Sequence, residues 1–354
     1  MAQNEITASC PVLDAEGRPL NFGWARSPLL VYDKNLVDAP SRRISESDRY
    51  IIYSPTHLLI FEILDHGYFG HIGISVISLK DKKRSTQSYR VPFSMGELSA
   101  NREDGSIRAR LKKMSVEFIM MEGSVRIIKV DIPKFGHHHF LRGAVVLSGR
   151  NSLDRNSPES IVTNMPWHSE KNAFRYSQVS PWYSAEGVMQ FGATEIHFTK
   201  DNAWGIFDWS RGVRPRRSVH YWAAGCGLSE GRQIGFSAGY GSADSANGTE
   251  NAFFLDGRIH KLDQVTFHIP LNDWLLPWRF ISNDKKLEMT FTPHQERSDH
   301  NQWLLHSLHR HQVIGSFSGH AIIEGSKIDG KTGGKKEINF TGITGIAEHR
   351  KTRY

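Results

Sequence analysis

Along most of this chain apolar and polar residues alternate over short runs, and the apolar ones are often β-branched or aromatic. Tyr50-Ile51-Ile52-Tyr53 opens the pattern, and residues 57–64 and 70–79 continue it between turn residues. Residues 115–121 and 124–131 form a hairpin pattern about Glu122-Gly123, and 140–148 a further strand. Nothing in this half carries the i, i+3, i+4, i+7 apolar face of a packed helix. The second half repeats the rhythm at 187–198, 219–228, 233–240, 251–255, 258–262, 265–269, 287–292, 311–324 and 337–346. Asp256-Gly257, between two of these runs, is the strongest hairpin signal. Strands broken by turn signals at about 8 to 12 residues predict an all-β fold of barrels or sandwiches.

Two stretches break the rhythm. Residues 1–30 carry Pro11, Pro19 and Pro28 and read as an extended arm, with Gly23-Trp24-Ala25-Arg26 suited to docking on the body. Residues 151–180 are rich in Ser and Asn, include Pro158 and Pro166, and read as a crossover with room for a short helix. The expected organisation is an arm at 1–30, a first β-barrel with the crossover at 31–180, and a second β-barrel at 181–354. A chain of 354 residues is long enough for two cores.

Composition narrows the partners. Hydrophobic residues make up 39% and aromatic residues 11%, enough to offset chain entropy, so disorder is not expected. The net charge of +7 is dispersed, and its densest patches, Arg214-Pro215-Arg216-Arg217 and residues 331–336, are short turn-like runs. Nucleic-acid binding is therefore not expected. Cys10 and Cys226 are the two cysteines, too few and too distant for a disulfide framework or a metal site, and they suit a reducing compartment. No apolar leader core and no run of about 18 apolar residues appears, so no integral membrane segment is expected and the cytoplasm is the expected location.

Several motifs fail on context. Gly325-Ser326-Lys327-Ile328-Asp329-Gly330-Lys331-Thr332 matches a phosphate-binding loop, but a strand-like run follows where a helix is required, so it reads as a hairpin tip. Gly225-Cys226-Gly227 and Gly239-Tyr240-Gly241 lack the third glycine and the helix of a dinucleotide fingerprint. His137-His138-His139 on an extended chain alternate in direction, so they read as a loop, and His306, His309 and His311 as a polar strand face. No cofactor and no metal site is expected.

The stretch Trp204-Gly205-Ile206-Phe207-Asp208-Trp209-Ser210-Arg211-Gly212-Val213-Arg214 is different. If extended, it aims Asp208 to the side of Trp204 and Ile206. A carboxylate on an apolar face must be paired or protonated, and Arg211 and Arg214 are the expected partners. Glu250 raises the same problem beside Ala252 and Phe254. Trp222, Phe236 and Tyr240 on the next strands are expected to line a shared cavity. Two readings stand: a buried Asp–Arg lock on a turn, or a ligand-lining and catalytic role.

These residues resemble a family. Gly23-Trp24-Ala25-Arg26, His66-Gly67-Tyr68-Phe69-Gly70, the run 205–213, Gly235-Phe236-Ser237-Ala238-Gly239-Tyr240-Gly241, Thr249-Glu250-Asn251 and His311-Gln312-Val313-Ile314-Gly315 together resemble the family known as domain of unknown function 2804. The chain departs at Ser210, where the family pattern has glycine, and at Arg214, where it has tryptophan. That family is distantly similar to double lipocalin-like proteins such as carotenoid 1,2-hydratases. The resemblance implies two antiparallel lipocalin-like (calycin-type) β-barrels and a cavity for an apolar ligand.

The expected function is binding of an apolar or semi-polar small molecule, with metal-free acid–base chemistry of hydratase, isomerase or cyclase type. Asp208, Arg211 and Glu250 are the candidate catalytic residues; Trp204, Trp209, Trp222, Tyr240 and Arg214 are the candidate ligand contacts. A non-enzymatic carrier or sensor and a carbohydrate-active β protein are the alternatives.

Overall fold

The computed structural model describes residues 3–94, 98, 105–137, 139–149, 158–167, 170, 172–303, 306–324 and 334–353. The phosphate-loop-like residues 325–332 and His138 lie outside them. Among the described residues regular structure is β-strand, with three short 3-10 turns. All named strand pairs are antiparallel except the short pair Cys10–Pro11 and Leu30–Val31.

Contacts divide the chain into two compact units. The first contains residues 1–38, 159–181 and 214–354; the second contains 39–158 and 182–213. The linear boundaries expected at 30 and 180 differ from this division. Residues 182–213 complete the sheet begun by the N-terminal half, because Trp204–Val213 pairs along its whole length with Ile44–Tyr53.

In the first unit nine strands form one sheet, in the order Arg258–Lys261, Ala252–Leu255, Arg232–Gly241, Arg217–Ser229, Lys335–Arg353, His306–Glu324, Leu287–Trp303, Trp278–Ser282 and Val265–His268. Third and last strands would lie about 29 Å apart in a flat sheet at ~4.8 Å per strand. Yet Tyr240 of the third meets Phe267 of the last with ring centroids 5.1 Å apart, so the sheet curls on itself. Its concave side holds the core, including Phe236, Phe253, Trp278, Phe280, Phe291 and Phe317.

The second unit repeats the principle. Its end strand Arg84–Pro92 and the strand Arg126–Phe135 are well separated in the order, yet the Gly136 amide beside the latter donates to Gln87 Oε1 at 2.8 Å. Alternating burial along Arg126–Phe135, with Ile128, Val130 and Ile132 inside and Lys129 and Asp131 outside, shows which face turns inward.

The Asp256-Gly257 turn forms as its sequence predicts: both residues have positive φ, 49° and 78°, matching the twist of the flanking strands. The crossover expected at 151–180 is corrected in its described part. Ile161–Pro166 and Phe174–Phe191 are paired strands, and no helix lies there among the described residues. Serines that suggested a loop are buried and bond across strands, Ser177 to Thr163 at 3.0 Å and Ser160 to Ser180 at 2.7 Å. The N-terminal arm docks as expected: Gly23–Ala25 pairs with Ile161–Pro166, and Trp24 is buried. No described helix is long and apolar enough to cross a membrane.

Candidate functional site

Trp204–Val213 is a strand, and its alternation follows the sequence: Trp204 and Ile206 are buried on the side that Asp208 shares. Arg49, directly opposite on Ile44–Tyr53, donates from Nη2 to Asp208 Oδ2 at 2.8 Å and from Nε at 3.1 Å. The expected Asp208–Arg211 pair is thereby corrected. Residues three apart on a strand face opposite sides, so Arg211 turns away and donates to Asp48 Oδ2 at 2.6 Å, with Glu46 at 3.7 Å. Burial pushes the Asp48 carboxyl up, and Arg211 acts against it. Trp209 lies half-buried under the Arg211 guanidinium, 5.1 Å from its ring centroid. Arg214 lies just beyond the strand, is buried, and falls in the first unit. Asp208 and Arg211 thus belong to the second unit, and Glu250 to the first.

Glu250 sits in the loop before Ala252–Leu255, not on the strand, and is 3% exposed. Its loop is tied on three sides. Asn251 Oδ1 accepts from the Gly239 amide at 2.7 Å, Lys261 Nζ donates to Thr249 Oγ1 at 2.7 Å, and Gln3 Oε1 accepts from the Thr249 amide at 2.8 Å. The carboxylate then lies over Gly239, where an added Cβ would come within 2.3 Å of Oε1. This close approach explains the glycine. Gly239→Ala is expected to displace the carboxylate and destabilise the chain by about 1 to 3 kcal/mol in urea denaturation, whereas a neutral result would show that the loop gives way freely.

Two side chains meet Glu250 Oε1: His220 Nε2 at 2.6 Å and Arg175 Nη1 at 3.1 Å. Burial pushes the Glu250 carboxyl up, but Arg175 and then His220 outweigh it and hold the group at about 2. Burial lowers the His220 pKa; Glu250 pulls it up, while Arg175 and Arg350 pull it down, and the net direction is downward. Nε2 also lies 3.2 Å from Arg175 Nη1, but its 2.6 Å contact with an anionic Glu250 favours a proton on Nε2, with Arg175 donating to the carboxylate and the ring's lone pair left on Nδ1. The His220 side chain is 23% exposed. Glu250 Oε2 is buried with no hydrogen-bond partner among the described residues.

Sequence reasoning missed His220 and Arg175. His220 shares a face with Trp222 on Arg217–Ser229, a legible signal, but Arg175 lay in the supposed crossover. The register also separates two expected neighbours. Tyr240 lies opposite Tyr221, whereas Trp222 lies opposite Gly239, so Trp222 and Tyr240 face opposite sides of the sheet. Trp222 is buried on the Glu250 side. Tyr240, 37% exposed, instead heads a stack on the core side, in which Tyr221 lies 4.7 Å away and His349 a further 4.4 Å.

The loops that hold Glu250 are built from the runs on which the family resemblance rests. A family model, Domain of unknown function (DUF2804), matches residues 3–354. The chain belongs to the DUF2804 family. No curated protein matches the sequence. Among solved structures, CghA with Sch210972 is similar at a TM-score of 0.55 and 10% identity, covering 100% of this chain and 96% of that one. CghA alone gives 0.54 and 10%, with the same coverage. Kievitone hydratase from Nectria haematococca gives 0.52 at 8% identity, over 97% of this chain and 98% of its own. At such identities the likeness shows the fold: this DUF2804 chain is all-β, with two antiparallel lipocalin-like β-barrel sheets.

Proposed function

We propose that this DUF2804 protein binds an apolar or semi-polar small molecule and performs acid–base chemistry on it through its own side chains, as a hydratase, isomerase or cyclase. The 2.6 Å contact between His220 and Glu250 carries this reading. Glu250 fixes the imidazole tautomer, and Nδ1 is the proton acceptor. Its lowered pKa keeps the ring neutral, hence able to take a proton, at neutral pH. Arg175 balances the charge that Glu250 retains. Glu250 Oε2 offers an acceptor to a substrate hydroxyl or a water. Trp222, buried beside this group, supplies apolar wall. The structural relatives, one of them named a hydratase, support the reaction class. Cys10 and Cys226 are in no disulfide, which supports a cytoplasmic setting.

In this reading Asp208 and Arg49 are a cross-strand tie, and Arg211 pairs with Asp48 beside Glu46. The test is incubation of the purified protein with a metabolite extract in D₂O, read by mass spectrometry. The wild type is expected to convert a compound with gain of one water or one deuterium. His220→Gln is expected to slow this at least about a hundredfold, and Asp208→Asn to leave it unchanged. Equal conversion by His220→Gln would remove the proposed base. A compound that is retained unaltered would favour the carrier reading.

A further inference from the structure

The core-side face of the first unit's sheet changes its chemistry toward one end. On three neighbouring strands, Arg217–Ser229, Lys335–Arg353 and His306–Glu324, register sets the residues of this face in rows. Ala223, Ala347 and Val313 form a row in the core, and Tyr221, His349 and His311 form the next row out. Val219, Lys351 and His309 follow, and then Arg217, Arg353 and Ser307. Apolar side chains thus give way to aromatic and imidazole rings, and these to cations. The outer rows border an open cleft of about 260 Å³, whose lining includes Arg217, Lys351, Arg353, His309, Ser242 and Ser307.

The charges there do not close. No carboxylate lines the cleft. Among the described residues Arg217, Lys351 and Arg353 form no ion pair. Arg217 and Arg353 lie directly opposite each other in register, and like charges so placed on one face repel. Acids on the neighbouring positions are engaged elsewhere. Glu296 meets His311 at 2.9 Å, one row deeper. Glu348 and Asp299 turn to the other face, where Gln312 reaches the first at 2.7 Å and Arg310 the second at 3.1 Å. Ser242 Oγ accepts from the Val219 amide at 2.8 Å, which leaves its own proton to donate. Two guanidiniums, an ammonium and a hydroxyl donor therefore border one concavity. That set matches the double charge and several oxygens of a phosphate better than a single carboxylate.

We propose that this cleft binds a phosphate dianion, free or as the terminal group of a small phosphorylated molecule. Arg217 and Arg353 take its oxygens from adjacent strands, Lys351 adds charge, and Ser242 donates. The bound anion also removes the repulsion between the two arginines. Because the cations share one cleft, a discrete ligand fits them better than a polynucleotide track. The cleft lies on the face opposite His220 and Trp222 and shares no residue with the His220–Glu250 group, so either reading can fail alone.

The test is calorimetric titration of the full chain with phenyl phosphate, inorganic phosphate and benzoate. Phenyl phosphate is expected to bind about tenfold or more tightly than benzoate. Arg217→Gln combined with Arg353→Gln is expected to weaken phenyl phosphate about tenfold or more. Both arginines are exposed, so the double variant keeps its core. Lys112→Gln with Lys113→Gln removes the same charge from an exposed turn of the second unit and is expected to change the affinity less than about twofold. Tighter binding of phenyl phosphate than of inorganic phosphate would assign an organic phosphate, and equal binding the free ion. Benzoate binding as tightly as phenyl phosphate, full affinity in the arginine variant, or an equal loss in the lysine variant would overturn the proposal. So would a single-stranded oligonucleotide that displaces phenyl phosphate at far lower concentration, which would mark a nucleic-acid surface.

Discussion

Glu250→Gln is expected to destabilise the folded protein by about 3 to 5 kcal/mol at neutral pH, because it leaves the Arg175 guanidinium beside an uncharged amide in a buried setting. The sign of its pH dependence follows from the carboxyl. Its folded pKa is about 2 against an ordinary 4.5, so the unfolded chain binds the proton first as pH falls. The stabilisation by Glu250 is complete above 4.5 and is lost between 4.5 and about 2. That shift alone corresponds to about 3 kcal/mol. Wild type and Glu250→Gln should therefore converge in urea stability as pH drops through this window. A gap that stayed constant would show that the charge on Glu250 is not what holds the loop. His220 adds in the same direction: its lowered pKa means that acid charges the unfolded chain first.

Arg211→Met should be comparably severe, about 3 to 5 kcal/mol, since it strands Asp48 and crowds it against Glu46. Here the pH dependence has the opposite sign. The Asp48 carboxyl is already pushed above its ordinary value by burial, so the folded state holds its proton more tightly than the unfolded one. Lowering the pH through the folded pKa relieves the stranded charge, and the variant should recover stability relative to wild type. Pairing it with Asp48→Leu should restore part of the loss, because it removes the stranded Asp48 charge and its repulsion with Glu46, while Glu46 still lacks the guanidinium. Urea denaturation of the single and double variants checks both statements. No rescue by Asp48→Leu would mean that Arg211 acts mainly through Trp209.

These effects also show what the sequence could convey. The strands were legible because burial on one side imposes a period of two, as in Arg126–Phe135, and Asp256-Gly257 announced its turn through the φ values it requires. The described part of residues 151–180 misled because a buried strand can be built from serines and threonines that bond one another across a ladder. Asp208 and Glu250 stood out as acids among apolar residues, and both are paired to arginine. Their partners did not stand out. Arg49 is 159 positions from Asp208, and Arg175 is 75 from Glu250, so only the register brings them together. Trp222 and Tyr240 are separated by a single step of that register. His220 carried a local clue, two residues before a buried tryptophan, but its role depends on a loop whose position Gly239 and Lys261 set from outside.

The central claim is that Glu250 holds His220 as a neutral base with Nδ1 unprotonated. Long-range proton–nitrogen NMR correlation of the His220 ring measures this directly. The prediction is a neutral imidazole at neutral pH, protonated at Nε2 only, titrating below the ordinary 6.5. An imidazolium at neutral pH, or a ring protonated at Nδ1 instead, would contradict it.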